Sequence, residues 1–155
     1  MTEEQGEIYW ENLNLFRLTE EESWEVIAEA SGATVAWNRT DGHPIGVWVS
    51  HVIMDDDLYI TTTKNRAKTR ELATDPRISI TCDAGGKGSV TILGTIELID
   101  DRAMTTRFLE TLADKGSMPP GEGRDFWMKR MNSAGRVVGK ITPNKFITFD
   151  PRKLR

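Results

Sequence analysis

The chain has 155 residues, 38% hydrophobic and 28% charged, which suits one globular domain with a single core and excludes disordered and fibrous architectures. With 24 acidic against 20 basic residues and a net charge of -4, no general attraction to nucleic acid or to an anionic membrane is expected, so any anion site has to be local. The longest apolar runs, such as Ile45 to Val49, fall far short of a bilayer span, and the acidic start MTEEQGEIYW has no signal-like pattern, so a cytoplasmic protein is expected.

In chain order, Ile8, Trp10, Leu13, Leu15 and Phe16 form an apolar arm without clear periodicity, suited to packing on the domain or on a second subunit. Thr19 and Glu22 make a capping-box pattern, and Trp24, Ile27 and Ala28 recur at helical spacing until Gly32, which predicts a helix over Thr19 to Ser31. ATVAWN then reads as a strand, TDGHP as an Asp-Gly turn and IGVWVSHVI as one longer strand, together a hairpin. MDDD is a polar turn and LYITTT a third strand.

KNRAKTRELATDP predicts a short helix stopped at Asp75-Pro76. RISITCD is a fourth strand, with Ile78, Ile80 and Cys82 on one face. SVTILGTIELI is a fifth, in which Gly94 is expected to mark a bend or bulge. Asp100 or Asp101 caps a helix carrying Met104, Phe108, Leu109 and Leu112, SMPPGEG is a loop and DFWMKRMN a further helix. GRVVGKITP and NKFITFDP read as two final strands around a Pro-Asn turn. Consecutive hairpins favour a mainly β architecture with α elements: an antiparallel barrel with peripheral helices. Residues 1–32 would form an N-terminal arm and helix, and residues 33–155 the barrel, within one domain overall.

The chemistry concentrates between Leu58 and Leu72. Thr61, Thr62 and Thr63 end a strand just before Lys64, Arg66, Lys68 and Arg70. Hydroxyls, free amides at a helix start and cations therefore converge, which is what a phosphate needs; a solvated basic helix face is the competing reading. His43 and His51 have no visible partners for a metal or a nucleophile relay, so neither a metal site nor a catalytic side chain is assigned. Cys82, on a core face, is read as inert packing, and Asp55, Asp56 and Asp57 as a solvated turn. Trp48 would flank a planar ring or fill the core. Trp127 and Phe126, after a loop, would cover a pocket or dock a second chain.

Taken in order, DGHPIGVWVS, LYITTTKNRAKTRELATDPRISITCD, SVTILGTIEL and KITPNKFITFDPRKL resemble the pyridoxamine 5'-phosphate oxidase-like flavin and deazaflavin oxidoreductases of the split β-barrel superfamily. The most specific residues are Ala67, Lys68, Arg70, Leu72, Asp75, Pro76 and Arg77. The resemblance implies a homodimer of split barrels with cofactor grooves at the subunit interface. The cofactor phosphate would meet Thr61, Thr62, Arg66 and Lys68, and the ring would lie along the strand of Val47 and Trp48. The terminal FDPRKLR lacks the substrate segment of true pyridoxamine phosphate oxidases, which argues against vitamin B6 oxidation. The form Ala-Lys-x-Arg is similar to the branch that uses coenzyme F-420, whose tail would suit Lys64 and Arg70; FMN is the alternative. The function so implied is hydride transfer between coenzyme F-420 or FMN and a small unsaturated or quinone-like substrate. A non-catalytic carrier of flavin, deazaflavin or haem is the second reading, and a partner-binding barrel with an empty groove the third.

Overall fold

The fold is seen in a computed structural model that describes residues 11–154; Ile8 and Trp10 of the expected arm lie outside them. Seven strands form one antiparallel sheet: β1 (Ala33–Asn38), β2 (Pro44–Val49), β3 (His51–Met54), β4 (Asp57–Thr63), β5 (Arg77–Asp83), β6 (Ser89–Ile99) and β7 (Arg136–Phe149). Their order across the sheet is β2-β1-β5-β6-β7-β4-β3. The two edge strands, β2 and β3, are separated in sequence by Ser50 alone. One residue spans only a few ångströms, so the sheet has to curl until its edges meet. That curl is the split barrel, with α1 (Glu20–Glu29), α2 (Ala67–Thr74), α3 (Arg102–Lys115) and α4 (Glu122–Met131) at its periphery.

Two strand assignments change. IGVWVSHVI is not one strand, because Ser50 carries the chain from one sheet edge to the other. The last two expected strands are one, β7, and the Pro-Asn pair between them is a bulge rather than a turn: Gly94 faces Pro143 while Leu93 faces Lys145, leaving Asn144 as the extra residue. Proline cannot donate to a ladder, so it is accommodated where pairing is already broken. The bend expected at Gly94 is there, and a Cβ on Gly94 would lie 2.2 Å from the Thr142 carbonyl oxygen.

The capping box forms: Glu22 N–H donates to Thr19 Oγ1 at 3.1 Å and Thr19 N–H to Glu22 Oε2 at 2.8 Å. The helix stops at Glu29, earlier than Gly32 suggests, with Ala30 as its cap. Asp101 rather than Asp100 caps α3. The turn between β3 and β4 places Asp55 and Asp56 at positive φ, as a two-residue hairpin requires, and Arg107 pairs with Asp55 at 2.6 Å.

The barrel interior is filled by Val35, Leu58, Ile60, Ile80, Ile92 and Ile141, joined by Val26 and Ile27 of α1. A second cluster, Val52, Met54, Tyr59, Phe108, Leu109 and Val138, lies where α3 covers the outside of β3, β4 and β7. Residues 58–60 are therefore buried on both faces of β4, which fixes the strand that leads into the candidate site. Of the expected arm, Phe16 is buried against Phe149 with ring centroids 5.9 Å apart, while Leu13 and Leu15 are exposed. No helix among the described residues is long and apolar enough to cross a membrane.

Candidate functional site

β4 ends in Thr61, Thr62 and Thr63, which face Val138, Val137 and Arg136 of β7. Their hydroxyl protons are used inside the protein. Thr61 donates to the Val137 carbonyl at 2.9 Å and Thr63 to Asn65 Oδ1 at 2.7 Å. Thr69 donates to the Thr63 carbonyl at 2.7 Å, so in the 2.9 Å contact between Thr62 and Thr69 the donor is Thr62. These bonds tie the first turn of α2 to the end of β4 and fix the angle between them.

α2 starts without a side-chain cap, because its N-cap residue is Arg66, which has no acceptor to offer. The amides of Ala67 and Lys68 have no acceptor within the helix, and the positive end of the helix dipole adds to them. The helix start thus presents donors beside cations.

Opposite it runs β2. Between them lies a cleft of about 470 Å³ whose walls include Val47 and Trp48 on one side, Thr61, Thr62, Thr63, Arg66 and Lys68 on the other, and Leu112 and Met131 from the helices. Seven of the eight residues singled out by sequence therefore share one cleft. Lys64 does not line it and pairs with Asp100 at 2.5 Å. Arg70 is also drawn away, donating to the Asn65 carbonyl at 2.8 Å.

The cleft has a third cation that sequence reasoning missed. Arg136 enters from β7, donates through Nε to the Met131 carbonyl and lies 3.4 Å from Thr61 Oγ1 through Nη1. Among the described residues no acidic side chain lines the cleft. Burial pushes the Lys68 ammonium below its usual range, with the nearby Arg66 charge adding to the effect. The same two causes, in the same order, lower Arg136. Crowded like charges in a partly desolvated site are relieved by an anion, and charge-assisted hydrogen bonds to such a ligand are the stronger kind.

Trp48 is 64% exposed. Its indole lies over Gly32, where an added Cβ would come within 2.0 Å of the ring. Gly32 is thus needed for this close approach rather than for stopping α1. Trp37, also on the wall, is anchored by its indole N–H to Glu71 Oε2 at 2.7 Å. The cleft combines a cationic end with an apolar, aromatic wall, the arrangement that suits a planar ring carrying a phosphate.

Cys82 is buried, and burial pushes its thiol up to about 11, so it is inert packing. Among the described residues no group of three or more His, Cys, Asp or Glu side chains could hold a metal ion.

The family profile described as pyridoxamine 5'-phosphate oxidase matches residues 19–149, and the chain belongs to this family. Among solved structures it is similar to conserved hypothetical protein Rv2991 from Mycobacterium tuberculosis, with 20% identity over 90% of this chain and 89% of that one and a TM-score of 0.80. An F-420 reductase matches with 20% identity over 84% of this chain and 98% of its own, at a TM-score of 0.66. A FAD-binding protein from Mesorhizobium loti matches with 21% identity over 84% and 94%, at a TM-score of 0.63. At such identities these likenesses speak to the fold, which is that of the split barrel. No curated protein matches in sequence.

Proposed function

We propose that the cleft binds the phosphate of coenzyme F-420 or FMN and that the protein is a cytoplasmic oxidoreductase passing hydride between that cofactor and a small unsaturated or quinone-like substrate. The observation that carries this reading is Arg66, Lys68 and Arg136 converging, with no acidic neighbour on the lining among the described residues, at one end of an apolar cleft in a chain of net charge -4.

The flavin or deazaflavin ring supplies the redox chemistry when bound. The chain's own residues bind and orient. The three cations and the amides of Ala67 and Lys68 hold the phosphate, and the threonines keep strand and helix at the angle this requires. Val47 and Trp48 flank the ring, and the apolar wall limits water at the reacting face. Lys64 contributes to the extended tail of coenzyme F-420 only by giving up Asp100. A homodimer with the groove at its interface would cover the exposed face of Trp48.

A parallel binding titration of the purified protein with FMN and coenzyme F-420 tests the reading. Micromolar or tighter binding of one of them is expected, followed by reoxidation of the reduced form on adding a quinone. Tight binding without reoxidation above background makes the protein a carrier. Failure to bind either cofactor overturns the proposal.

A further inference from the structure

The uncharged hydrogen-bond donors on the lining of the cleft are nearly all committed elsewhere. Thr61 and Thr63 give their hydroxyl protons to the Val137 carbonyl and to Asn65, and Thr62 gives its proton to Thr69. Trp37 gives its indole N–H to Glu71. The indole of Trp48 is turned with its Cζ2, Cε2 and Nε1 edge against Gly32. Ser50 remains. It lines the cleft and is half-buried, and its hydroxyl makes no hydrogen bond among the described residues.

The neighbours of Ser50 set its orientation. Val49 packs into the barrel interior, and His51 is fully buried with Nε2 2.6 Å from the Ile27 carbonyl oxygen. Side chains alternate along extended chain, so Ser50 turns to the opposite face, the one that carries Trp48. The pairing of β3 with β4 sets His51 against Ile60, which brings Ser50 level with Thr61. Ser50 therefore stands where the wall made by β2 meets the wall made by β4. Two residues of extended chain, about 7 Å, separate it from Trp48.

A flavin or deazaflavin ring along Val47 and Trp48 finds apolar walls for most of its surface, but one edge of either ring system carries two carbonyls. A carbonyl taken out of water without a donor is disfavoured, and the cations of the cleft are gathered at the phosphate end. We propose that Ser50 contacts the cofactor, its hydroxyl donating to a carbonyl on that edge of the ring. The inference rests on the cofactor reading above and adds a contact that orients the ring rather than the phosphate. Reduction raises the electron density on the carbonyl edge, which strengthens a hydrogen bond to it, so Ser50 favours the reduced cofactor over the oxidised one.

The test uses the full chain loaded with FMN and, in parallel, with coenzyme F-420. In Ser50→Ala the absorption band of the bound ring is expected to shift and cofactor affinity to fall about tenfold. The reduced form should lose about tenfold relative to the oxidised form, a drop of about 30 mV for a two-electron couple. Ser50→Thr keeps the hydroxyl and should return all three toward their wild-type values. Ser50→Cys, whose thiol is a weak donor, takes the place of the alanine variant should that one fold poorly, with the same directions expected. An unchanged spectrum and potential in a variant that still binds cofactor overturns the proposal and leaves the cofactor reading standing. A fall in affinity without either ring signature also overturns it, Ser50 then serving only to pack the crossover. Failure of the wild-type protein to bind either cofactor overturns both, so binding by the wild type tells the two failures apart.

Discussion

The cleft between β2 and α2 and the groove beside α1 are similar in size, about 470 and 540 Å³, and each has a tryptophan on its wall. Their charge is opposite. Among the described residues, Arg66, Lys68 and Arg136 line the first with no carboxylate, and Glu21, Glu25 and Asp56 line the second, around Trp24, with no cation. Apolar walls come with any half-closed barrel, because curling leaves side chains at the seam only partly covered. Charge selects the ligand class. In a chain with four more acidic than basic residues, composition would favour the acidic groove, and the cationic cleft exists because Arg66 at the start of α2, Lys68 within it and Arg136 of β7 are brought to one place.

The comparison breaks most visibly if the charges of the cleft are removed. Hydrogen bonds to charged groups contribute about 1.5–3 kcal/mol each, so Arg66→Ala with Lys68→Ala should weaken cofactor binding by at least about 100-fold. Fluorescence titration reads this directly, and unchanged affinity would mean that the cleft is not the anion site. Arg136→Met comes next, with a loss of about 10- to 100-fold. It asks whether the cation contributed by β7 belongs to the same binding set. Thermal melts of the free variant separate that loss from any effect of freeing the Met131 carbonyl.

A pH titration sharpens the same point. The folded-state value of Lys68 lies below the usual 10.5 for a lysine. A bound anion favours the charged ammonium, so affinity should hold at lower pH and fall as pH rises through the depressed value, before an ordinary lysine titrates. Lys68→Arg should remove that alkaline fall, since a guanidinium keeps its charge. The smallest effect is expected in the acidic groove. Glu21→Gln with Glu25→Gln should change cofactor affinity by less than about twofold in 0.15 M salt, because exposed charges are screened over about 8 Å. A larger change would show that the two recesses are electrically coupled.

Much of the cleft could be read from local pattern. The threonine-rich strand end, the short basic helix and its Asp-Pro stop lie within one continuous segment, and alternation and helix signals act over just such distances. The same local reading failed for Lys64 and Arg70, because their partners, Asp100 and the Asn65 carbonyl, compete for them only in the folded chain. Local pattern divides β7 at Pro143-Asn144, since those residues ordinarily make turns. Pairing with the whole length of β6 absorbs them as a bulge instead.

The sequence by itself determined that the chain is a mainly β barrel, that a basic helix start follows Thr63, and that Trp48 lies on a strand. Those features depend on residue type, period and caps, which are encoded locally. Only the tertiary structure decided that Ser50 is the point where the sheet edges meet and that Arg136 joins Arg66 and Lys68. Each of these depends on which strands pair and in what register, and that is settled by the packing of side chains far apart in the chain.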